Sequence, residues 1–344
     1  MALRILADDL TGALDSAARF AAAGPVPVFW RLPEAVPARC AFDSATRDAP
    51  APIGAFAAAL AEGAPAFKKI DSVLRGPVGA EIEACAPDFD HVLIAPAFPF
   101  QGRVVRGGAV FLRAGDGWRP GPHAFPTLSL PVTHCRPGQR APAGISLWDS
   151  ETDADLAAIV AAGRALAGRV LWCGTAGLAG ALAEPGAVPL PDLPGPVLAL
   201  TGTDHPVAVA QLAHTVAVLH RVEPEDPMAA MRIARDLEEA GCASVTVAVP
   251  AGMARDHAAL RIGEGFAALI PVLPRPGTLV VAGGETLRRL AEALGAQCLI
   301  VDGEVAPGIP AARIAGGIWD GVRVIARSGG FGDPALLARL LGLG

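Results

Sequence analysis

The chain has 344 residues, enough for two domains at roughly 150 residues each. Hydrophobic residues make up 52% and charged residues 18%, which excludes a disordered chain. The net charge is −6, with 16 basic and 18 acidic residues in 1–190 and 12 and 16 in 191–344. Neither half carries the basic footprint of a nucleic-acid binder.

The start, MALRILADDL, places two acids where a signal peptide needs its apolar stretch. The most suspicious apolar run, Val170 to Ala183, is interrupted by Gly and too short to span a bilayer. The expectation is a soluble, cytoplasmic protein with neither membrane nor nucleic-acid partner. Six Cys at 40, 85, 135, 173, 242 and 298 form no C-x-x-C pair and fit no zinc pattern. They read as small buried hydrophobes in a reducing compartment.

Apolar runs of strand length alternate with Ala-rich stretches of helix length. In chain order the expectation is strand 3–7, helix 12–23, strand 26–30, helices 52–62 and 77–86, strand 91–95, strand 170–173 and helix 175–183. Residues 104–146 are rich in Gly, Pro and turn signals and read as hairpins or an irregular excursion. The stretch 184–196, EPGAVPLPDLPGP, is a linker candidate. Beyond it come strand 197–201, helices 205–217 and 228–240, strand 244–249, helix 255–269, strand 278–282, helix 285–294, strand 298–302 and a strand near 322–326. This alternation marks a parallel sheet covered by helices. The expected fold class is α/β, in two domains (1–184 and 197–344), each a mainly parallel sheet flanked by helices, with an interdomain cleft suited to a small molecule.

Three polar strings in the first half fall where strands end, the functional edge of a parallel sheet. The first is Ala7-Asp8-Asp9-Leu10-Thr11-Gly12. Asp8 or Asp9 could accept a proton from a substrate hydroxyl; equally, Asp9 and Thr11 could only cap a helix. The second runs from Lys68 to Gly79. It reads as a loop presenting Lys68, Lys69, Asp71, Ser72 and Arg75, a cluster suited to a carboxylate; the plainer alternative is a local Asp71–Arg75 ion pair. Lys68 and Lys69 are the only lysines beside 26 arginines; either the compact ammonium matters there or the pair is chance within a bias toward Arg. The third is Ala95 to Arg103, a stiff Pro-rich turn holding Gln101 and Arg103.

The second half has three Gly-rich corners at strand ends: Gly202-Thr203-Asp204, Gly283-Gly284-Glu285-Thr286 and Ser328-Gly329-Gly330. Glycines admit a phosphate close to the backbone, and a helix N-terminus supplies N–H donors. Neither a P-loop string nor a dinucleotide fingerprint is present, and G-x-S-x-G is missing as well. The seven His are scattered without metal spacing; His205, beside a Gly corner, is the one of interest.

Together these strings resemble the four-carbon acid sugar kinases, formerly a family of unknown function. The matching segments are ADDLTGALD at 7–15, KKIDSVLRGPVGAEI at 68–82, APAFPFQGR at 95–103, CGTAGLAGALA at 173–183, GGET at 283–286, GEVAPGIP at 303–310 and SGGFGDP at 328–334. They span nearly the whole chain. The resemblance implies a sugar-acid-binding N-terminal domain, a nucleotide-binding C-terminal domain, and phosphorylation of the terminal hydroxyl of a tetronate or oxo-tetronate using ATP and Mg²⁺. It implies Asp9 or Asp8 as catalytic base and Lys68, Lys69, Asp71, Ser72, Arg75, Gln101 and Arg103 around the sugar acid. It implies Thr203, Gly283, Gly284, Glu285, Thr286, Ser328, Gly329 and Gly330 around ATP. No metal ligand is assigned, although Glu285 is a candidate. Three departures concern the nucleotide side: Arg327 stands where the family usually has Lys, Thr203 where it usually has Ser, and the chain is short between about 185 and 280. The oligomeric state stays open, with a homodimer as candidate. The competing readings are a non-catalytic sensor of sugar acid or nucleotide, and a nicotinamide-linked oxidoreductase, which the missing fingerprint disfavours.

Overall fold

The computed structural model describes residues 2–186 and 188–343; Met1, Gly344 and Ala187 of the expected linker lie outside the described residues. The chain divides into two compact units, Met1–Val188 and Pro189–Gly344.

In the first unit the strands are β1 Arg4–Ala7, β2 Val26–Phe29, β3 Cys40–Asp43, β4 Ala66–Lys69, β5 His91–Ala95, β6 Arg103–Arg106, β7 Ala109–Ala114, β8 Gly117–Pro120, β9 Val132–Cys135, β10 Gly144–Trp148 and β11 Val170–Gly174. The helices are α1 Leu10–Arg19, α2 Gly54–Ala61, α3 Val78–Cys85, α4 Asp153–Arg164 and α5 Ala176–Leu182. The main sheet runs β2-β3-β1-β4-β11-β5-β10-β9, and every neighbouring pair is parallel. Its central strands β1 and β3 are buried along their whole length and β5 in all but His91, with mostly apolar residues, as in a sheet covered on both faces. The connection from β1 runs to β2 on one side and that from β4 to β5 on the other, so the β1/β4 junction is a switch point, the usual ligand position at the carboxyl edge of such a sheet.

Several expectations shift here. Helix α1 begins at Leu10 rather than 12, because Asp9 and not Thr11 is its N-cap: Asp9 Oδ1 accepts the Gly12 N–H at 2.9 Å. The regular helix stops at Arg19, and a 3-10 turn covers Ala21–Ala23. The stretch 104–146 does contain hairpins: β6, β7 and β8 form a separate antiparallel sheet. It also holds β9 and the start of β10, two strands of the main sheet that its turn-rich composition hides. Strand β3 and helix α4 escaped the sequence reading, although Thr152 and Asp155 form a capping box at the start of α4.

In the second unit the strands are β12 Val197–Thr201, β13 Leu219–Val222, β14 Cys242–Val247, β15 Thr278–Ala282, β16 Cys298–Ala306, β17 Ile309–Ala315 and β18 Arg323–Arg327. The helices are α6 Pro206–Ala213, α7 Ala229–Glu239, α8 Arg255–Leu269, α9 Gly284–Ala293 and α10 Leu336–Leu340. The order β13-β14-β12-β15-β18 is parallel, and β17 and β16 continue it antiparallel. Helix α6 ends at Ala213, four residues short of expectation, with a 3-10 turn at Val216–Val218. The string GEVAPGIP forms the tip of the β16–β17 hairpin, with the turn at Pro307-Gly308, so the strand expected over 298–302 runs on to Ala306. Each unit is thus α/β, with a mainly parallel sheet flanked by helices.

All six cysteines are buried and unpaired, and burial holds each thiol above its ordinary value. Among the described residues no helix is long and apolar enough to cross a membrane.

Candidate functional site

The carboxyl ends of β1, β3 and β4 bring three segments together. Ala7 of β1 is level with Asp43 of β3, and Leu6 with Lys68 of β4. Asp8 and Asp9 leave β1, residues 44–47 leave β3, and residues 70–75 leave β4. At their meeting point stands Arg47. Its Nε and Nη2 donate to Asp8 Oδ2 and Oδ1 at 2.8 Å and 2.7 Å, a bidentate pair. Its Nη1 lies 2.7 Å from Asp9 Oδ2, and Nη2 lies 3.8 Å from Asp71 Oδ1.

The two aspartates do different things. Asp8 is 1% exposed; burial pushes its carboxyl up, but the Arg47 charge and hydrogen bonds, with Lys68 and Lys69 behind, hold it below the ordinary value. Asp9 keeps 23% exposure. There the loss of water raises the carboxyl, Arg47 lowers it, and the neighbouring Asp8 charge raises it again; the net position is above the ordinary value. A carboxylate raised in this way is the better proton acceptor. Asp9 caps α1 with one oxygen and faces Arg47 with the other.

The pair Lys68-Lys69 was expected in a loop. Instead it forms the last two positions of β4, where alternation sends neighbouring side chains to opposite faces. Lys69 goes toward α1: its Nζ donates to the Ile70 carbonyl at 2.9 Å, and a Cβ added at Gly12 would stand 3.2 Å from that Nζ and 2.5 Å from Asp9 Oδ1. Lys68 goes the other way. It is 0% exposed, with Nζ 3.0 Å from Glu81 Oε2, so the expectation that Lys68 touches substrate is corrected: its ammonium is enclosed.

Asp71 does pair with Arg75, through Nη2 at 2.7 Å and Nε at 3.1 Å. It also accepts the Val73 and Arg75 backbone N–H groups. Burial pushes Asp71 up, but Arg75, Arg47 and Lys69 hold it well below the ordinary range. Arg75 remains 50% exposed, so the ion pair leaves its outer edge open. Ser72 follows Asp71 on the same loop and is partly exposed. Gln101 Oε1 accepts from Arg103 Nη1 at 2.8 Å, and burial lowers the Arg103 guanidinium while Asp71 raises and Arg75 lowers it. The third string therefore stands within electrostatic reach of the second. Ala45 (φ 54°) and Leu74 (φ 63°) are non-glycine residues in left-handed geometry, one in each of two site loops, where such strain is commonly stored. A groove of about 550 Å³ adjoins the site, walled by Leu74 and Gly76 on one side and by His123 and Pro126 on the other.

In the second unit the three Gly corners converge on the carboxyl ends of β12, β15 and β18. A Cβ at Gly202 would lie 2.1 Å from Thr286 Oγ1, and one at Gly329 would lie 2.8 Å from Thr203 Oγ1 and 3.0 Å from His205 Cβ. Thr203 Oγ1 accepts the His205 N–H at 3.3 Å, and His205 in turn caps α6. Gly283, the N-cap of α9, makes no side-chain cap bond, so Gly284, Glu285 and Thr286 begin the helix with donors available to an anion. Glu285 pairs with Arg289 at 2.8 Å. Ser328 and Gly330 lie on the loop that Gln211 holds by donating to the Phe331 and Asp333 carbonyls at 3.0 Å and 2.9 Å. Arg327, which opens this loop, is buried, and none of its three guanidinium nitrogens has a partner among the described residues. Burial lowers it to about 10, so it stays charged near neutrality.

Residues 3–124 match the sugar-binding N-terminal domain, and residues 196–337 match the nucleotide-binding C-terminal domain. A D-threonate kinase of Cupriavidus necator is 32% identical over 98% of this chain and 96% of its own length. The chain belongs to the four-carbon acid sugar kinase family. A D-threonate kinase of Bordetella bronchiseptica is 29% identical, over 97% of this chain and 95% of its own. As a member of this family the protein is a sugar acid kinase, a phosphotransferase with an alcohol group as acceptor. Two solved structures share the fold: one from Salmonella typhimurium LT2 (TM-score 0.73, 19% identity, 98% of both chains) and one from Haemophilus influenzae (TM-score 0.69, 16% identity, 99% of this chain and all of the other).

The sequence reading left Arg47 unmarked, although it meets three of the marked or neighbouring carboxylates. Its signal was weak: a four-residue strand, Cys40–Asp43, in a Pro-rich stretch, followed by Ser-Ala-Thr-Arg. Thr46, on the same segment, went unmarked for the same reason, and Glu81, its hydrogen-bond partner on α3, went unmarked within the quoted string 68–82. Among the described residues no group of three or more His, Cys, Asp or Glu could hold a metal.

Proposed function

We propose that this sugar acid kinase transfers a phosphoryl group from ATP to the terminal hydroxyl of a four-carbon sugar acid, D-threonate or a close tetronate relative. The observation that carries the reading is Arg47 gripped by Asp8, Asp9 and Asp71. Around that centre four cations, Arg47, Lys69, Arg75 and Arg103, accompany three carboxylates, and the surplus positive charge suits one substrate carboxylate. The kinship with two D-threonate kinases favours the same substrate class.

In this reading Arg75 and Lys69, steadied by Arg47, hold the sugar-acid carboxylate, with Ser72 as a hydroxyl donor. Gln101 aims Arg103 along the flank. Asp9 orients the attacking hydroxyl and accepts its proton, while Asp8 stays ionised to fix Arg47. On the second unit the orphaned Arg327 guanidinium and the uncapped start of α9 fit a polyanion such as a triphosphate. Thr203, Gly283, Gly284, Thr286, Ser328, Gly329 and Gly330 would hold ATP, which supplies the phosphoryl group. Mg²⁺, when bound with ATP, would be held mainly by phosphate oxygens and waters, with one or two carboxylates. Glu285 is the acid at the corner that could reach it on leaving Arg289. Kinase catalysis of this kind rests on positioning and charge stabilisation.

The test is ADP release from ATP and Mg²⁺ with a panel of four-carbon sugar acids. D-threonate or another tetronate should give turnover well above the acid-free rate. Binding of both ligands without ADP release would make the protein a sensor and overturn the proposal.

A further inference from the structure

Lys68, Glu81 and Thr46 form a closed chain behind the site. Lys68 Nζ lies 3.0 Å from Glu81 Oε2 and donates to the Lys69 carbonyl at 2.9 Å. The Thr46 hydroxyl donates to Glu81 Oε1, and Thr46 Oγ1 lies 2.8 Å from Ser44 Oγ. All three residues are buried, and Thr46 immediately precedes Arg47. The chain therefore joins β4, α3 and the loop after β3 at the residue beside the clamp.

The loop carrying Arg47 needs such support. Its Ala45 sits in left-handed geometry, which is strained for a non-glycine residue. The N–H groups of Ser44, Ala45 and Arg47 are taken up by the Ala7 carbonyl, the Asp43 carboxylate and the Asp8 carbonyl. Those bonds all come from β1 or from β3 and its loop. Glu81 is the tie that reaches in from a helix. A buried ion pair is weak as a source of stability, since desolvation cancels most of its attraction. What it can supply is geometry, because every member has one fixed set of partners.

We infer that Glu81, with Lys68 as its enclosed counter-ion and Thr46 as its contact, is a positioning residue that sets the direction of Arg47 and through it the grip on the substrate carboxylate. This rests on the reading that Arg47 stands at the sugar-acid site. It also gives Lys68 a role that needs no contact with substrate, and explains a lysine at this position in an arginine-rich chain: a compact ammonium fits a closed space where a planar fork does not.

The experiment compares wild type, Thr46→Val, Thr46→Ser and the paired replacement Lys68→Met with Glu81→Leu, by thermal melting and by KM and kcat for each substrate. Thr46→Val should fold and raise KM for the sugar acid about 10- to 100-fold, with KM for ATP unchanged and Thr46→Ser close to wild type. The double variant, which removes both charges, should show the same selective defect; if it does not fold, the two Thr46 variants decide alone. An unchanged sugar-acid KM in Thr46→Val overturns the inference while leaving the kinase reading intact, and so does an equal loss for both substrates, which would be a general packing defect. Wild type without sugar-acid turnover would instead remove the reading beneath it.

Discussion

Arg47 and Asp8 are 39 residues apart in the chain, yet they meet through two near-parallel hydrogen bonds of 2.8 Å and 2.7 Å. The partnership exists because β1 and β3 are parallel neighbours whose ends are level. Burial pushes the Arg47 guanidinium down, but Asp9, Asp8 and Asp71 together hold it far above its ordinary value; it is a permanent cation at the centre of the site. Arg47→Met should raise KM for the sugar acid at least about 10-fold, the scale of losing one charge-assisted bidentate contact. Arg47→Lys should recover only part, since an ammonium cannot span Asp8 and Asp9 at once. Steady-state kinetics on the three proteins check this; wild-type constants for the Met variant would remove Arg47 from the site.

Asp9→Asn should lower kcat by about 10²–10⁴-fold, the range for a lost general base, with the fold kept because an Asn side chain also caps helices. The Asp9 carboxyl titrates above the ordinary carboxylate value, and only its ionised form accepts a proton. Activity should therefore fall as pH drops through that raised value, and the acid limb of kcat/KM should lie above ~3.9. A profile flat down to pH 4 would assign the proton to another group.

Asp8 and Asp71 are shifted the opposite way, below the ordinary range. A group with a depressed folded value stabilises the fold above its unfolded value and loses that contribution as pH falls through the folded one. The stability that these two carboxylates give should be complete above about pH 5 and decline below ~3.9. Denaturant titrations at several pH values should show a smaller acid loss for Asp71→Asn than for wild type.

Arg327 lacks any partner for its guanidinium among the described residues. Strand alternation places it on the face of Ile325, which packs with Leu212, Leu336 and Leu340 in an apolar cluster. Replacing an uncompensated buried charge by an apolar residue of similar length should stabilise the free protein. Arg327→Met is expected to raise the melting temperature, on the order of 2–4 °C for each kcal/mol, and to weaken ATP binding about 10-fold or more. Differential scanning fluorimetry with and without ATP reads both effects; a lower melting temperature in the free variant would contradict this account.

Gly12 is required by space rather than by backbone angle. A methyl there would press on Asp9 Oδ1 at 2.5 Å and crowd Lys69 Nζ at 3.2 Å. Gly12→Ala should cut kcat/KM by about 10²-fold while costing roughly 1–3 kcal/mol of stability. An Ala variant of normal activity would show that Asp9 is free to move.

Much of the fold lay in the sequence because local pattern carries it. Short apolar runs such as Val197–Thr201 and Thr278–Ala282 read as strands buried on both faces, and the Gly corners after them mark where those strands end. Asp9 was legible in one polar string and Lys69, Asp71 and Arg75 in another, because both follow strand ends; only the family resemblance joined them at one site. The tertiary structure decided what no local pattern encodes. Parallel pairing of β1 with β3 and β4 delivered Arg47, from a segment with little signal of its own, into the middle of three carboxylates. The two-residue repeat of β4 separated two adjacent lysines, sending Lys69 toward the site and closing Lys68 against Glu81. Chain order fixes which residues are available; strand register and face, set by long-range pairing, fix which of them meet.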